Sequence, residues 1–239
     1  MPPDPARPLA GEVALVTGAR GRLGPVWTAA LQAAGAQVVG VDVEDADVRD
    51  RAALEELRDG LGATPTILVN NAGIDQPPDA GAQAVLDHAE FLRVLDVNLA
   101  GAFNATLVFG EAMIAAGGGG AIVNIGSLYA SIAPEPRLYD HLDGFLKPPA
   151  YGASKAGLVQ LTKYFARLWG PHGVRVNALS PGGVRGGQDP EFLRKYCARV
   201  PLGRMAEAED LGGPLVFLAS DASRYLTGHE LRVDGGFTA

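Results

Sequence analysis

Short apolar runs alternate with segments of helical length along the whole chain. Strands are predicted at residues 12–17, 37–42, 66–70, 121–125, 174–179 and 230–233. Helices are predicted at 23–34, at 82–116 with a break in its first third, at 150–170 and at 207–219. This alternation predicts an α/β fold in which helices cover both faces of a doubly wound parallel sheet. We expect one domain over residues 11–239, preceded by a short disordered lead at 1–10.

One connection is too short for the usual pattern. Only four residues separate Asp42, at the end of the second predicted strand, from Asp47. A helical crossover between parallel strands needs about a dozen residues. The helix that usually follows the second strand is therefore predicted to be missing, with a vestigial third strand around residues 46–48.

Composition narrows the classes of partner. The 239 residues carry 20 Lys and Arg against 27 Asp and Glu, a net charge of −7, and no basic run, so a nucleic-acid partner is not expected. The single cysteine, Cys197, has no partner for an internal disulfide and stands in no zinc-like spacing, so no metal is expected and the cytoplasm is the predicted location. No apolar run approaches the roughly 18 residues that span a bilayer, so no membrane association is expected.

Three glycines mark the passage from the first predicted strand into the start of the first predicted helix, in the segment Thr17-Gly18-Ala19-Arg20-Gly21-Arg22-Leu23-Gly24. A tight turn at this place lets the backbone approach a pyrophosphate at a helix N-terminus. Asp42 ends the second predicted strand, where a carboxylate can accept hydrogen bonds from an adenosine ribose. Together these features predict a dinucleotide site, and the alternative is a purely structural turn.

The order of several further motifs adds a resemblance. Asn70-Asn71-Ala72-Gly73, Asn98, Ser127, Tyr151-Gly152-Ala153-Ser154-Lys155, Pro181-Gly182 and Val233-Asp234-Gly235-Gly236 follow the glycine loop in that order. From about Gly11 to the end, the chain resembles the short-chain dehydrogenases/reductases. The resemblance implies a Rossmann-like sheet, a nicotinamide cofactor and a homotetramer. It implies cofactor contacts from Gly18, Arg20, Gly21, Leu23, Gly24, Asp42, Asp47, Val48, Asn71, Ala72, Gly73, Tyr151, Lys155, Pro181, Gly182 and Val184.

The chain departs from the family pattern at two places. The middle glycine is Gly21, one position before the usual place, which Arg22 holds; this spacing resembles the extended, sugar-nucleotide-modifying branch. The segment of 24 positions from Ser127 to Tyr151 is longer than the family usually shows. Its length resembles a subgroup labelled flagellin- or polysaccharide-modifying oxidoreductases. We expect this segment to form a flap that sets specificity through Arg137, Tyr139, Asp140 and His141.

The candidate catalytic residues are Asn98, Ser127, Tyr151 and Lys155. Tyr151 and Lys155 lie one turn apart on one helix face, and a nearby ammonium is expected to lower the phenol pKa by roughly two units. Ser127 follows a strand at the sheet edge where ligands bind, so its hydroxyl can orient a substrate oxygen. By resemblance, Asn98 holds a water that relays protons from Lys155, and Lys155 also binds the nicotinamide ribose.

These residues predict an oxidoreductase that moves a hydride between NAD and a small alcohol or ketone. NAD is predicted over NADP because Asp42 repels a 2′-phosphate, although Arg20 and Arg22 are counter-evidence. Two alternatives remain: a sugar-nucleotide epimerase or dehydratase, and a catalytically silent dinucleotide-binding regulator. Too few residues follow Pro181 for the substrate domain that the first alternative needs. An apolar stripe of Leu158, Leu161, Phe165 and Leu168 is expected to face the core or another subunit.

Overall fold

The chain forms a six-stranded sheet in the computed structural model, which describes residues 7–75 and 86–239. The strands are β1 Val13–Thr17, β2 Gln37–Val41, β3 Ile67–Asn70, β4 Gly120–Ile125, β5 Val174–Pro181 and β6 Glu230–Val233. The described α-helices are α1 Gly24–Ala33, α2 Arg51–Gly60, α3 His88–Leu95, α4 Ala102–Ala116, α5 Pro149–Trp169, α6 Pro190–Cys197 and α7 Glu209–Ala219. The strand order is β2-β1-β3-β4-β5-β6 and every neighbouring pair is parallel.

Helices bury apolar side chains against both faces of this sheet. Trp27 of α1 and Leu211 of α7 belong to the core on one face. Leu54 of α2, Phe109 of α4 and Phe165 of α5 belong to the core on the other. Burying a large apolar side chain contributes about 1.5–3 kcal/mol, so these two layers hold the helices in place. The predicted doubly wound α/β fold is confirmed.

The direction of strand addition reverses beside β1. The chain passes from β1 to β2 on one side, and then to β3 on the other side of β1. In open parallel sheets, ligands bind in the crevice at the carboxyl ends of the strands where the order reverses. Thr17 and Asn70 end the two strands that border this crevice.

The connection after β2 begins as predicted, without a helix directly after the strand. Turns carry the chain from Val41 to Arg51, and no helix lies between Asp42 and Asp47. The expected vestigial strand at 46–48 is not a strand, although the side chains of Ala46 and Val48 are buried. Helix α2 then forms the crossover; the sequence analysis missed it because it is short and polar, with only Leu54 buried.

The predicted long helix is present from His88, and its first predicted residues, 82–85, lie outside the described part of the chain. Its expected break is a π-helical segment, Asp96–Gly101, between α3 and α4. The expectation that no segment is apolar enough to span a bilayer is wrong. The 29-residue helix His88–Ala116 is long and apolar enough to do so, by length and composition only. Of the most apolar 18 residues of this segment, 44% are buried inside the protein, and Phe109 of the segment belongs to the core.

The N-terminal lead also differs in extent from the prediction. Residues 1–6 lie outside the described residues. Leu9 is buried in the core, and its N–H donates to the Ala34 carbonyl oxygen over 2.9 Å. The folded domain therefore includes residues 7–10 as well.

Candidate active site

The glycine loop between β1 and α1 makes a cradle that side chains would fill. Gly18 has a φ of +64°, and a Cβ there would lie 2.7 Å from the Ala72 Cα. A Cβ on Gly24 would lie 2.3 Å from the Ala19 carbonyl oxygen. Helix α1 begins at Gly24 without a side-chain cap and without an acidic residue in its first turn. An uncapped helix N-terminus behind a close-packed glycine turn favours a bound anion, so the loop fits a dinucleotide pyrophosphate.

Asn71 fixes the loop against the end of β3. Its side-chain amide donates to the Gly18 carbonyl oxygen over 2.8 Å and accepts the Trp27 indole N–H over 2.7 Å. The Thr17 hydroxyl accepts the N–H groups of Asn71 and Ala72, both over 3.1 Å. These contacts hold the two strand ends that border the crevice in one geometry.

Acidic side chains gather where the second strand ends. Asp42 accepts the Arg20 N–H through Oδ2 over 2.8 Å. The Arg20 guanidinium donates to Glu44 and Asp45, over 2.7 and 2.8 Å. The charge of Arg20 is therefore balanced by carboxylates, and the surroundings of Asp42 carry a net negative charge.

Ser127, Tyr151 and Lys155 meet at the carboxyl end of β4. Ser127 follows that strand, and Tyr151 and Lys155 lie in the first turns of α5, which packs across it. The Lys155 Nζ donates to the Ile125 carbonyl oxygen over 2.7 Å and lies 5.6 Å from the centre of the Tyr151 ring. The predicted triad is therefore assembled around one wall of the crevice.

The electrostatics of this triad differ from the prediction. Burial raises the pKa of Tyr151 to about 12, Asp75 adds to the rise, and hydrogen bonding to the Ser127 side chain opposes it. Burial also lowers the pKa of Lys155 to about 8, against the opposing effect of Asp75. The expectation that Lys155 lowers the phenol pKa is wrong for the chain by itself: burial raises that pKa, and Lys155, whose ammonium donates to a carbonyl oxygen, is not among the groups that lower it.

Asn98 is buried behind the crevice. Its amide donates to the Ile74 carbonyl oxygen over 2.9 Å and accepts the Ile74 N–H over 2.7 Å. It also donates to the Ser154 hydroxyl over 3.2 Å. The side chain therefore anchors the segment after β3, and Asn98 lies in the π-helical segment, an irregularity that is frequent at functional sites. The proton relay stays a prediction.

One cavity of about 950 Å³ joins these groups. The predicted site residues that line it are Gly18, Gly21, Leu23, Asp42, Asp47, Val48, Asn71, Ala72, Gly73, Ser127, Tyr151, Lys155, Pro181, Gly182 and Val184. Arg20, Gly24 and Asn98 do not line it and act through the contacts given above. Arg22 does line it, and its guanidinium donates to the Val184 carbonyl oxygen over 2.7 Å.

The long segment between Ser127 and Tyr151 closes one side of the cavity. Tyr129 and Tyr139 line it and share a hydrogen bond of 3.0 Å between their hydroxyl groups. Tyr139 packs against Phe145 and against Phe192 of α6, with ring centres 4.8 and 5.3 Å apart. The predicted flap is thus an ordered wall, although of its four proposed specificity residues only Tyr139 lines the cavity.

Several residues that line the cavity were not predicted as site residues from the sequence. They include Asp75, Gln188, Met205 and Tyr196. Chain position alone gave no signal for the last three, which come from the segments around α6. Asp75 stands two residues after Gly73, at the end of a recognised motif, and its polarity could have drawn attention to it. No cluster of three metal-ligating side chains is found within residues 7–75 and 86–239.

The fold and the cavity define a dinucleotide-dependent oxidoreductase, and comparison with known proteins agrees. The model of a family described as enoyl-(acyl carrier protein) reductase matches residues 11–238. A galactitol 2-dehydrogenase from Rhizobium johnstonii is 36% identical over 96% of this chain and 96% of its own length.

Solved structures show the same likeness. A short-chain dehydrogenase from Leptospira borgpetersenii with bound NAD⁺ superposes with a TM-score of 0.85 and 31% identity, over 98% of this chain and 95% of the other. A gluconate 5-dehydrogenase from Burkholderia cenocepacia in complex with NADP and tartrate gives a TM-score of 0.81 and 30% identity, over 98% and 97%.

This chain belongs to the short-chain dehydrogenase/reductase family, the NAD(P)-dependent oxidoreductases that act on CH–OH and C=O groups. Chain and relatives match over nearly their whole lengths, which disfavours a sugar-nucleotide epimerase with an added substrate domain. The flagellin/polysaccharide-modifying subgroup stays a prediction.

Proposed function

We propose that the protein is an NAD-preferring dehydrogenase of small, neutral, polyhydroxylated alcohols and the corresponding ketones. The observation that carries this proposal is the cavity wall beside Tyr151. It presents the hydroxyl groups of Ser127, Tyr129 and Tyr139, which suit a substrate with several hydroxyl groups. The galactitol 2-dehydrogenase activity of one relative supports the same substrate class.

The chain's own groups fit proton transfer at a carbonyl oxygen. With a pKa of about 12, the Tyr151 phenol keeps its proton at neutral pH and donates it during reduction. The Ser127 hydroxyl holds the same oxygen, and Lys155 places a positive charge under the tyrosine ring. The nicotinamide, when bound, supplies or accepts the hydride.

A panel of substrates tests this function. Polyols, ketoses, sugar acids and hydroxy acids are offered with NAD(H) and NADP(H), and the change in cofactor absorbance is followed. We expect the highest kcat/KM for a polyol or ketose. Cofactor binding without turnover on any member of the panel would instead support the alternative of a silent dinucleotide-binding regulator.

The preference for NAD rests on the charges around Asp42. A carboxylate there accepts hydrogen bonds from ribose hydroxyls, and it repels a 2′-phosphate. Like charges about 4 Å apart repel by about 4 kcal/mol at an effective dielectric constant of about 20, which permits discrimination of a hundredfold or more. Arg20, the strongest counter-evidence in the sequence, has its charge matched by Glu44 and Asp45.

The test compares kcat/KM with NAD and NADP for the wild type, Asp42→Ala and the control Asp59→Ala. Asp59 is an exposed carboxylate of α2, outside the cavity. We expect Asp42→Ala to lose at least tenfold of the preference for NAD and Asp59→Ala to lose none. A wild type that prefers NADP, or an Asp42→Ala variant that keeps the full preference, contradicts the assignment.

We also propose a homotetramer, but the surface that would form its interface differs from the predicted apolar stripe. Leu158 and Phe165 of the predicted stripe are buried in the protein's own core. Leu168 and its neighbour Tyr164 are half exposed, and Phe103 of α4 adds to the apolar surface. Light scattering at micromolar concentration tests the assembly, and a protomer mass of 24.8 kDa would refute it.

A further inference from the structure

The cavity contains an ion pair that the catalytic mechanism does not use. Asp75 lies just after β3 and Lys147 just before α5, and their side chains pair across 72 positions of sequence. Both residues line the cavity, and the Lys147 Nζ lies 5.5 Å from the centre of the Tyr151 ring. The side chains are 33% and 18% exposed, so the pair is accessible from the cavity yet shielded from bulk water.

The pair acts at the reacting end of the cavity. Burial is the larger influence on the pKa values of Tyr151 and Lys155, but the Asp75 carboxylate raises both. The Asp75 charge is therefore close enough to be felt by both catalytic groups. A substrate whose reacting oxygen meets Tyr151 has its neighbouring carbons beside this pair.

Other charges at this end are already engaged. Asp189 and the His141 imidazole form a hydrogen bond of 2.8 Å. Arg22 is directed to the Val184 carbonyl oxygen on the glycine-loop side. Lys147 and Lys155 both lie near the tyrosine ring, and Asp75 compensates the charge of Lys147.

We propose that the Asp75–Lys147 pair is the specificity element of the substrate site, selecting neutral polyols and ketoses over sugar acids. A substrate hydroxyl both donates and accepts hydrogen bonds, so adjacent hydroxyl groups can bind the carboxylate and the ammonium together. A substrate carboxylate meets an ammonium whose charge is already neutralised and a carboxylate that repels it. This inference rests on the proposed function, because it names which member of the alcohol class the site accepts.

Variants that remove one or both charges separate the contribution of Asp75 from that of Lys147. Asp75→Asn keeps the shape and leaves the Lys147 charge uncompensated, Lys147→Met leaves the Asp75 charge, and the double variant removes both. Lys163→Met, an exposed lysine of α5 outside the cavity, is the matched control. The measurement is kcat/KM for galactitol and for gluconate with NAD, and the dissociation constant of tartrate from the NADH-loaded enzyme by calorimetry.

We expect the wild type and Lys163→Met to prefer galactitol. In Asp75→Asn the ratio of kcat/KM values shifts toward gluconate by at least tenfold, and tartrate binds at least tenfold more tightly. Lys147→Met raises the KM for galactitol by about tenfold and weakens the binding of tartrate. The double variant discriminates least between galactitol and gluconate. Equal melting temperatures of Asp75→Asn and the wild type show that the fold is kept.

The outcomes distinguish this inference from the proposed function. A wild type that turns over a polyol, with an Asp75→Asn variant whose substrate ratio and tartrate affinity are unchanged, overturns the inference alone. A wild type that prefers gluconate also overturns it, since Lys147 then recognises a carboxylate. A wild type that turns over no polyol or ketose of the panel refutes the proposed function, and the tartrate affinities still decide whether Asp75 excludes anions.

Discussion

Replacing Lys155 by methionine should stabilise the cofactor-free protein at neutral pH while it abolishes function. Burial lowers the Lys155 pKa from 10.5 to about 8, and each pKa unit corresponds to about 1.4 kcal/mol, so burying the ammonium costs about 3 kcal/mol. Removing the hydrogen bond to the Ile125 carbonyl oxygen costs about 1 kcal/mol. The net expectation for Lys155→Met is a gain of about 2 kcal/mol in the free energy of unfolding.

The sign of the pH dependence follows from the lowered pKa. Below about pH 8 the lysine is protonated in the folded and the unfolded chain, so the whole penalty is present. Between about pH 8 and 10.5 the folded state has lost the proton and the unfolded state still holds it, so wild-type stability rises with pH. The advantage of Lys155→Met should therefore vanish across this interval.

Urea unfolding without cofactor, at pH 7 and pH 10 and at equal protein concentration, measures the effect. Lys163→Met, on the exposed side of the same helix, controls for the general effect of methionine and should stay within about 0.5 kcal/mol of the wild type. A Lys155→Met variant that is destabilised equally at both pH values would refute the reasoning, because the buried ammonium would then carry no penalty.

Three further predictions concern the cavity walls. Tyr151→Phe should lower kcat by about 10²–10⁴ and leave the NAD dissociation constant unchanged; more than a tenth of the wild-type rate contradicts the acid role. Gly24→Ala places a Cβ 2.3 Å from a backbone oxygen and should weaken NAD binding at least tenfold by calorimetry, unlike Gly118→Ala, which has open space. His141→Ala, which frees the flap from Asp189, should raise KM several-fold and lower stability by no more than about 1 kcal/mol.

The sequence was sufficient for the sheet because its strands are apolar runs, and the four central strands are largely buried. Every described strand lies within two residues of its predicted bounds, and the short turn after Asp42 was recognised from length alone. The helices Arg51–Gly60 and Pro190–Cys197 were missed because each buries a single side chain. Both begin at an aspartate that caps the helix, a signal that could have revealed them.

The candidate site was predictable where residues stand in local motifs and not where they meet across the fold. The glycine loop and Tyr151 with Lys155 are local patterns, so their placement in one cavity was expected. Asp75 and Lys147 are 72 positions apart, and no periodicity relates them. The direction of the Tyr151 pKa was also out of reach, because it depends on how completely the folded chain removes water from the phenol.

Burial favours the uncharged forms of both Tyr151 and Lys155, and this decides which proton transfer the chain can perform by itself. With pKa values of about 12 for Tyr151 and about 8 for Lys155, the phenol holds its proton at neutral pH and most of the lysine is charged. The phenol can therefore donate its proton to a carbonyl oxygen without a further change in its pKa. Removal of an alcohol proton needs more positive charge near the phenol, and Asp75 acts against it. NAD⁺ carries a positive charge on its nicotinamide and NADH does not, so the cofactor form that accepts a hydride also brings the charge that favours a tyrosine base.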